Sequence, residues 1–324
     1  MNASLLHTIT TALLSGLLGL GALIALLLAW PSRAPRSTLA SLAEAGARAD
    51  YRDLPPLQSY RARDGAALAY RCYAAAGAPS RIAVLVHGSS GDSHNMHAIG
   101  RHLQAEGLQA YALDMRGHGA SGRRGDVDYI GQLDDDLADF VALLRQQHPK
   151  ATLSLVGLSS GGGFTLRSAG GANGELFDRY VMLAPMLHQA APTARPQSGG
   201  WVRANVPRMI ALTLLDKLGL RLFQQLPVLA FALPPEAAAT RTLAYSYRLQ
   251  LSFRPHEDYL ADVRGIRRPC LLLVGAKDEI FRAEQYAPLL EPLQPLLKVE
   301  VLPGLKHLDV AVDTRALQRI AAAV

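Results

Sequence analysis

The chain has 324 residues, of which 49% are hydrophobic and 19% are charged, and it carries a formal net charge of +6. This composition excludes a disordered chain and suits one large catalytic domain with an appendage. The arginines are scattered along the chain and form no dense basic run with interleaved aromatic residues, so we do not expect nucleic acid as a partner.

The first segment of the chain is apolar. No charged side chain occurs from Ile9 to Trp30, and a helix of this length crosses the roughly 30 Å hydrocarbon core of a bilayer. A cleaved signal peptide is the alternative, but such peptides carry basic residues before the apolar run, and this chain has none there. We therefore predict a single-pass transmembrane anchor over residues 1–30. Arg33 and Arg36 follow it, which by the positive-inside rule places the folded body on the cytoplasmic side, where both side chains can meet anionic headgroups.

Residues 31–56 are rich in Ala, Arg, Ser and Pro and show weak periodicity, which predicts a linker or a short juxtamembrane helix. The remaining residues, 57–324, are predicted to form the catalytic domain. This domain begins with a hairpin over Tyr60–Tyr73, because Asp64-Gly65 accepts the positive φ angles that a tight two-residue turn needs.

Beyond the hairpin, short apolar runs alternate with helical patterns. Gln132–Leu144 carries Phe140, Val141 and leucines at helical spacing, with acidic residues in its first turn, where the helix dipole favours them. This alternation predicts an α/β fold with a mostly parallel, doubly wound sheet and helices on both faces. The runs predicted as strands buried on both faces are Ile82–Val86, the region of Tyr111 and Leu113, Leu153–Val156, Val181–Leu183, Leu271–Val274 and Val299–Leu302.

The alternation is interrupted once, between about residues 186 and 268. This stretch contains no convincing buried strand, but Ile210–Leu220 and Val228–Leu233 are apolar runs that we interpret as helical. An insertion of this size between two sheet strands predicts a helical lid. Cys72 and Cys270 lie in strand-like runs and are predicted to be free, buried thiols.

A G-x-S-x-G motif follows the run Leu153–Val156. A serine at such a sharp strand-to-helix turn is strained, and the residues two before and two after it must lack side chains so that strand and helix can approach. Gly157 and Gly161 meet this demand for Ser159, whereas Leu158 would occupy one of the two positions for Ser160. Ser159 is therefore the predicted nucleophile. A phosphate-binding loop is excluded, because the glycine spacing does not match and no lysine follows.

A second glycine-rich turn, His87-Gly88-Ser89-Ser90-Gly91, follows the run Ile82–Val86. In enzymes built around a G-x-S-x-G turn, such a loop offers a backbone N–H to the oxyanion of a tetrahedral intermediate, together with the N–H of the residue after the nucleophile. The predicted oxyanion donors are therefore the backbone amides of Ser89 and Ser160. An ordinary strand-to-helix turn is the alternative interpretation.

A serine nucleophile needs a base and a carboxylate that orients the base, in the chain order serine, acid, histidine. Of ten histidines, only His307 comes after the run Leu271–Val274 and the acids that follow it, so His307 is the predicted base. Asp278 and Glu279 both lie just beyond that run. We choose Asp278 as the acid, with Glu279 as the alternative, because spacing alone does not separate two adjacent residues.

Taken together, these motifs resemble the monoacylglycerol lipase and lysophospholipase branch of the α/β-hydrolases, also called serine aminopeptidase-like hydrolases. The resemblance implies the α/β-hydrolase fold, Asp278 as the acid, a structural role for His118 and no metal or organic cofactor. It also implies that the strands of Cys72 and Cys270 lie about five strands apart, beyond disulfide reach. It spans about Leu57 to the C terminus and rests on Val86–Gly91, Leu113–Gly122, Gly157–Gly162, Gly275–Asp278 and Leu305–His307.

The implied activity is that of a serine hydrolase, in which His307 deprotonates Ser159 for attack on a carboxylic ester. An apolar lid and a membrane anchor favour a lipid-like ester such as a monoacylglycerol or a lysophospholipid, unless the apolar lid residues merely pack on the body. An acyltransferase or a thioesterase would use the same triad. A non-catalytic, membrane-tethered binding module would show a broken triad, and none of the three positions is broken here.

Overall fold

An eight-stranded sheet lies at the centre of the protein. The computed structural model describes residues 3–38, 44, 50–195, 200–233, 237 and 240–324. Within these ranges the strands are β1 (Leu57–Arg61), β2 (Ala67–Tyr73), β3 (Arg81–Val86), β4 (Gln109–Leu113), β5 (Thr152–Leu158), β6 (Arg179–Leu183), β7 (Val202–Ala204), β8 (Pro227–Phe231), β9 (Ala244–Ser246), β10 (Cys270–Gly275) and β11 (Leu297–Leu302). The central sheet has the order β1-β2-β4-β3-β5-β6-β10-β11. Strand β2 runs antiparallel to both of its neighbours, and all other neighbouring pairs are parallel.

Nine α-helices occur in the described part of the chain. They are α1 (Ala3–Leu28), α2 (His97–Ala105), α3 (Gln132–Gln147), α4 (Ser160–Gly170), α5 (Val206–Lys217), α6 (Tyr247–Ser252), α7 (Tyr259–Arg264), α8 (Tyr286–Leu290) and α9 (Thr314–Ala323). Helix α2 packs against α9, and α4 packs against α7. The predicted α/β class with a mostly parallel sheet is confirmed. Each predicted core strand is present, and each is slightly longer than its apolar run because the flanking residues continue the ladder of hydrogen bonds. The prediction that Val299–Leu302 is buried on both faces was wrong, because β11 is an edge strand and none of these four residues is buried.

The N-terminal hairpin differs from the predicted two-residue turn. Strand β1 ends at Arg61 and β2 begins at Ala67, so five residues connect them. Gly65 has a φ of +84°, but Asp64 is not among the residues with positive φ. The loop is closed instead by the Gly65 N–H donating to Ala62 O at 2.8 Å. The prediction of a tight turn was wrong, because that turn type needs positive φ at both central residues.

The insertion between β6 and β10 contains a second, antiparallel sheet of three strands in the order β7-β8-β9. The helical interpretation of Ile210–Leu220 agrees with α5 over most of its length, but that of Val228–Leu233 was wrong, because most of this run lies in β8. An apolar run of this length has the same pattern in a short strand as in a buried helix. Pairing with β7 and β9 satisfies the backbone of β8 and decides the outcome.

Helix α1 contains a 22-residue stretch, His7–Leu28, that is long and apolar enough to cross a membrane, and none of its most apolar window is buried in the protein. The following segment is tied to the insertion: Arg208 Nε donates to Leu28 O at 2.8 Å and Arg208 Nη2 to Trp30 O at 2.9 Å. Of the predicted linker, residues 39–43 and 45–49 lie outside the described residues. Glu44 pairs with Lys306 Nζ at 2.7 Å, so the linker contacts the catalytic domain.

Both cysteines are free. Cys72 lies in β2 and Cys270 in β10, which are five strands apart in the sheet order. Burial raises the pKa of the Cys270 thiol to about 12, so this side chain is a protonated, apolar core residue at neutral pH.

Candidate active site

Ser159 stands at the turn between β5 and α4. Its backbone has φ 57° and ψ −114°. Such a sparsely populated conformation typically costs a non-glycine residue about 1–3 kcal/mol. Hydrogen bonds hold it there: the Ser159 N–H donates to Leu183 O at 2.8 Å, and the Ser159 carbonyl accepts the N–H groups of Gly163 and Met186 at 2.9 and 3.0 Å. The turn is therefore a strained strand-to-helix turn that its surroundings keep in place.

Two glycines make this turn possible. A Cβ added to Gly157 would stand 2.1 Å from Gly161 O, and one added to Gly161 would stand 2.4 Å from His87 O. Both distances are shorter than any contact a real Cβ makes, and both clashes are with backbone atoms that cannot move aside. The motif glycines thus allow β5, α4 and the turn after β3 to touch around Ser159.

Asp278 and His307 form a buried pair at neighbouring strand ends. Asp278 follows β10, His307 follows β11, and the two residues are 2% and 1% exposed. His307 Nδ1 lies 2.8 Å from Asp278 Oδ2. Asp278 Oδ1 accepts the N–H groups of Ile280 and Phe281, each at 2.8 Å. With its second oxygen held by two amides, the carboxylate keeps the imidazole proton on Nδ1 and leaves Nε2 as the basic nitrogen.

Glu279 contacts His307 in another way. Its Oε2 accepts the backbone N–H of His307 at 3.0 Å, so this carboxylate holds the loop and not the imidazole. The His307 ring also packs against the ring of Phe281, with the ring centroids 5.4 Å apart. The geometry therefore favours Asp278 over Glu279 as the acid.

Ser89 and Ser160 lie side by side next to Ser159. Their Oγ atoms share a hydrogen bond of 2.5 Å, and a Cβ added to Gly88 would be 3.2 Å from Ser159 Cβ. Ser160 is the first residue of α4. The first N–H groups of a helix have no carbonyl one turn earlier to bind, and this helix end carries partial positive charge. The arrangement offers backbone donors at the place where the sequence predicted an oxyanion site.

Tyr245, in β9 of the insertion, contacts the turn after β3. The sequence did not predict this contact. The Tyr245 hydroxyl accepts the Ser90 N–H at 2.9 Å and lies 2.6 Å from His118 Nε2. Burial lowers the pKa of His118 well below its usual value, so the ring is neutral and its Nε2 accepts the tyrosine proton. His118 thus belongs to a structural network that joins the insertion to the turn after β3.

A cavity of about 1190 Å³ opens above Ser159. Ser89, Ser159 and Ser160 form part of its wall, and residues of the insertion form much of the rest. Trp30 and Pro31, which directly follow α1, also line it. The end of the apolar helix is therefore part of the site, which the sequence did not indicate. In the described ranges, no group of three or more His, Cys, Asp or Glu side chains could hold a metal ion.

The fold and these motifs match a known family. Residues 77–310 match the family model described as serine aminopeptidase, S33. Because this range covers well over half of the chain, the chain belongs to this family of α/β-hydrolases. The membership confirms the predicted family resemblance, the predicted fold class and the prediction of an enzyme of the serine hydrolase class.

Comparison with individual proteins adds one sequence relative and two solved structures of similar fold. The chain is 30% identical over 111 residues to the monoacylglycerol lipase of Mycolicibacterium smegmatis. The match covers 34% of this chain and 39% of the length of that relative. A soluble variant of the Saccharomyces cerevisiae monoglyceride lipase superposes with a TM-score of 0.62 at 18% identity, over 83% of this chain and 92% of that chain. A membrane phospholipase A described as a bacterial virulence factor superposes with a TM-score of 0.58 at 18% identity, over 99% and 97%. At these identities the two solved structures establish the shared fold.

Proposed function

We propose that this chain hydrolyses carboxylic esters, with Ser159 as nucleophile, His307 as general base and Asp278 as the group that orients the base. The observation that carries the proposal is the buried Asp278–His307 pair at 2.8 Å, on the same sheet edge as a serine in a strained turn. A purely structural ion pair would not require a costly serine conformation nearby. Membership of a serine hydrolase family supports the proposal independently.

In the proposed reaction, His307 Nε2 takes the hydroxyl proton of Ser159 while Oγ attacks the ester carbonyl. The backbone N–H groups of Ser89 and Ser160 bind the resulting oxyanion. His307 then donates the proton to the leaving alcohol, and an acyl-enzyme remains. Water attacks the acyl carbon and gives a proton to His307. Collapse of this second intermediate releases the carboxylic acid and returns the proton to Ser159.

The substrate we propose is an acyl lipid. The cavity volume of about 1190 Å³ lies above the roughly 300–1,000 Å³ of ordinary small-molecule sites. Apolar side chains of the insertion, among them Trp201, Leu229 and Phe231, line it and suit an acyl chain. The relative from Mycolicibacterium smegmatis is named a monoacylglycerol lipase, which agrees with this class of substrate.

We further propose that α1 anchors the enzyme in a membrane and that the insertion, residues 186–268, acts as a lid at the membrane surface. Helix α5 of the insertion packs beside α1. One turn apart on α5, Val206 and Ile210 are 55% and 56% exposed. Exposed apolar side chains beside an apolar span suit contact with lipid. Arg33 and Arg36 directly after α1 support a cytoplasmic position for the body.

A fluorophosphonate probe tests the proposed nucleophile. We expect the wild-type chain to be labelled, and Ser159→Ala to lose labelling and to lose ester hydrolysis by at least about 10⁴-fold, because the attacking oxygen is gone. Ser160→Ala is the matched control: it removes a neighbouring hydroxyl but keeps the backbone amide, so labelling should persist. Labelling of Ser159→Ala equal to that of the wild type would contradict the assignment.

Esters of increasing acyl length test the proposed lipid class. With p-nitrophenyl esters in detergent we expect kcat/KM to rise with chain length, because each added methylene buries apolar surface in the cavity. A flat profile, or one confined to short chains, would remove the lipid proposal. Analysis of the acyl product, in the presence of an alcohol acceptor and with a matched thioester, separates hydrolysis of esters from acyl transfer and from thioesterase activity.

A further inference from the structure

The cavity above Ser159 has a one-sided charge. Six arginines and Lys217 line it, and no aspartate or glutamate does so within the part of the chain that the structure describes. Like charges around a low-dielectric cleft repel one another, and a neutral glyceride would not offset this repulsion. An anionic ligand would relieve this repulsion.

Arg254 is the member of this lining that is buried. It is 9% exposed, and its Nη2 donates to Glu257 Oε2 at 2.6 Å. Its Nε and Nη1 are buried, and neither has a hydrogen-bond partner among the described residues. A buried cationic donor without an acceptor is costly, so two such nitrogens in one cavity wall point to a ligand that supplies acceptors.

Two other arginines of the lining have a different role. Arg195 donates to Phe281 O at 3.1 Å, and Arg282 donates to Pro192 O and Ala194 O at 3.2 and 3.1 Å. These guanidinium groups tie the segment after β6 to the loop after β10. Backbone carbonyls of the cavity wall thus accept hydrogen bonds from these two arginines, whereas two nitrogens of Arg254 have no acceptor among the described residues.

The position of Arg254 places it near the reacting serine. Its neighbour Pro255 packs on the first turn of α4, because a Cβ added to Gly163 would stand 2.9 Å from Pro255 Cδ. The same Gly163 donates its N–H to the Ser159 carbonyl at 2.9 Å. Pro255, the residue after Arg254, therefore packs against the turn that carries Ser159, and both Arg254 and Ser159 line the same cavity.

Two further polar groups of the wall lie in this region. Gln250 Oε1 is buried and has no hydrogen-bond donor among the described residues. His188 Nε2 lies 3.4 Å from Oε1 of Glu257, the carboxylate that also binds Arg254, and makes no hydrogen bond within the described part of the chain. Both residues line the same cavity as Arg254. The cavity wall thus carries cationic donors, an imidazole and an amide acceptor, and the Glu257 carboxylate binds Arg254 and lies close to His188.

We propose that Arg254, His188 and Gln250 form an anion subsite that binds the phosphate of an acyl glycerol phosphate, a proposal that rests on ester hydrolysis at Ser159. Guanidinium nitrogens match phosphate oxygens, and the imidazole adds a donor. Gln250 Oε1 accepts a hydrogen bond from a glycerol hydroxyl beside the phosphate. The substrate class is then a lysophospholipid-type ester in preference to a neutral monoacylglycerol.

The test compares two substrates with the same acyl chain, 1-oleoylglycerol 3-phosphate and 1-oleoylglycerol, at equal low mole fraction in neutral detergent micelles. For the full-length chain we expect kcat/KM to favour the phosphate substrate by at least about tenfold, the usual size of a charged hydrogen bond. Arg254→Gln should remove this preference, and Arg254→Lys should restore part of it. The ratio is measured within one preparation, so partial misfolding of a variant cancels.

Arg203→Gln is the matched control, because it removes a positive charge from the same cavity wall outside the proposed subsite. It should keep the preference. Absence of a preference in the wild type, its persistence in Arg254→Gln, or an equal loss in Arg203→Gln would each overturn the subsite.

A wild-type measurement covers the case in which Arg254→Gln does not fold. Glycerol 3-phosphate should inhibit hydrolysis of 1-oleoylglycerol competitively, whereas equimolar glycerol or inorganic phosphate should inhibit it less. Equal effects of all three would also overturn the subsite, and inhibition by inorganic phosphate alone would assign the region to free phosphate and not to a lipid headgroup. Failure of the proposed function has another signature, namely no hydrolysis of either lipid and no labelling of Ser159.

Discussion

The sheet edge that carries Ser159 and the insertion that covers it satisfy their polar groups in different ways. At the edge, partners come from the chain itself: Asp278 accepts two backbone amides and the His307 ring, and the Ser159 backbone is bonded on both sides. In the insertion, Gln250 Oε1 and two nitrogens of Arg254 are buried without partners among the described residues. Apolar side chains of α5 also face outward there.

This difference fits a division in which the sheet edge carries the proposed reaction and the insertion recognises the substrate. A catalytic group works only if its geometry is set before the substrate arrives, so the chain holds it with its own backbone. A group that recognises a ligand must keep donors, acceptors or apolar surface available until the ligand binds. We therefore expect substitutions at the sheet edge to lower the rate for every substrate. Substitutions in the insertion should change the preference between substrates, and between substrates in vesicles and dissolved substrates.

The largest effect is expected for Asp278→Asn. An asparagine keeps the size of the side chain but cannot hold the His307 proton on Nδ1, so the basic nitrogen is no longer presented to the serine. We expect kcat to fall by about 10³–10⁴-fold with little change in KM, for a neutral and an anionic ester alike. Steady-state kinetics with both substrates check this.

Glu279→Gln is the control for that substitution. Its amide oxygen can still accept the backbone N–H of His307, so kcat should stay within about threefold of the wild type. A loss in Glu279→Gln as large as in Asp278→Asn would mean that the pair acts as one acidic unit and would contradict the assignment of Asp278 alone.

The sheet edge could be predicted from the sequence because its determinants are local. The inner parallel strands are buried on both faces and are apolar in sequence. The turn after β5 is marked by Gly157 and Gly161, where a Cβ would clash with backbone atoms. Chain order then left His307 as the only histidine after the run Leu271–Val274 and the acids that follow it. Spacing alone did not separate Asp278 from Glu279, because the two residues are adjacent, and the family resemblance favoured Asp278.

The insertion could not be predicted in the same way because its structure depends on distant pairing. Strands β7 and β9 have three residues each, too few for a periodic pattern, and β8 is stabilised by lying between them. The contact of Tyr245 with Ser90 joins positions 155 residues apart. No local composition encodes such contacts.

An intermediate effect is expected for Tyr245→Phe, which removes one of the contacts between the insertion and the turn after β3. The Ser90 N–H and His118 Nε2 would lose their partner, and each buried polar group left unpaired costs about 1–3 kcal/mol. We expect a lower unfolding temperature and a fall of about tenfold in kcat for all substrates, because the oxyanion turn shifts.

Tyr247→Phe tests whether this effect belongs to the turn. The Tyr247 hydroxyl bonds Thr213 Oγ1 at 3.1 Å within the insertion, so its loss should lower stability slightly and leave kcat close to that of the wild type. Equal losses of kcat in the two variants would show that general loosening of the insertion, and not the contact with Ser90, is responsible.

The smallest effect is expected for Arg208→Met, which removes some of the hydrogen bonds between the insertion and the end of α1 and leaves those of Asn205 in place. Arg208 donates to Leu28 O and Trp30 O, the carbonyls that close the apolar helix, but the guanidinium is only half-buried, so water replaces part of what is lost. If these bonds orient the cavity mouth toward the membrane, hydrolysis of a lipid presented in vesicles should fall about two- to fivefold while hydrolysis of a dissolved short ester stays unchanged. Arg221→Met, at an exposed arginine of the same insertion, controls for charge at the lipid surface. A parallel fall on vesicle and dissolved substrates in Arg208→Met would place the effect in the active site itself, and the insertion would then be a structural cover with no part in presenting the cavity to lipid.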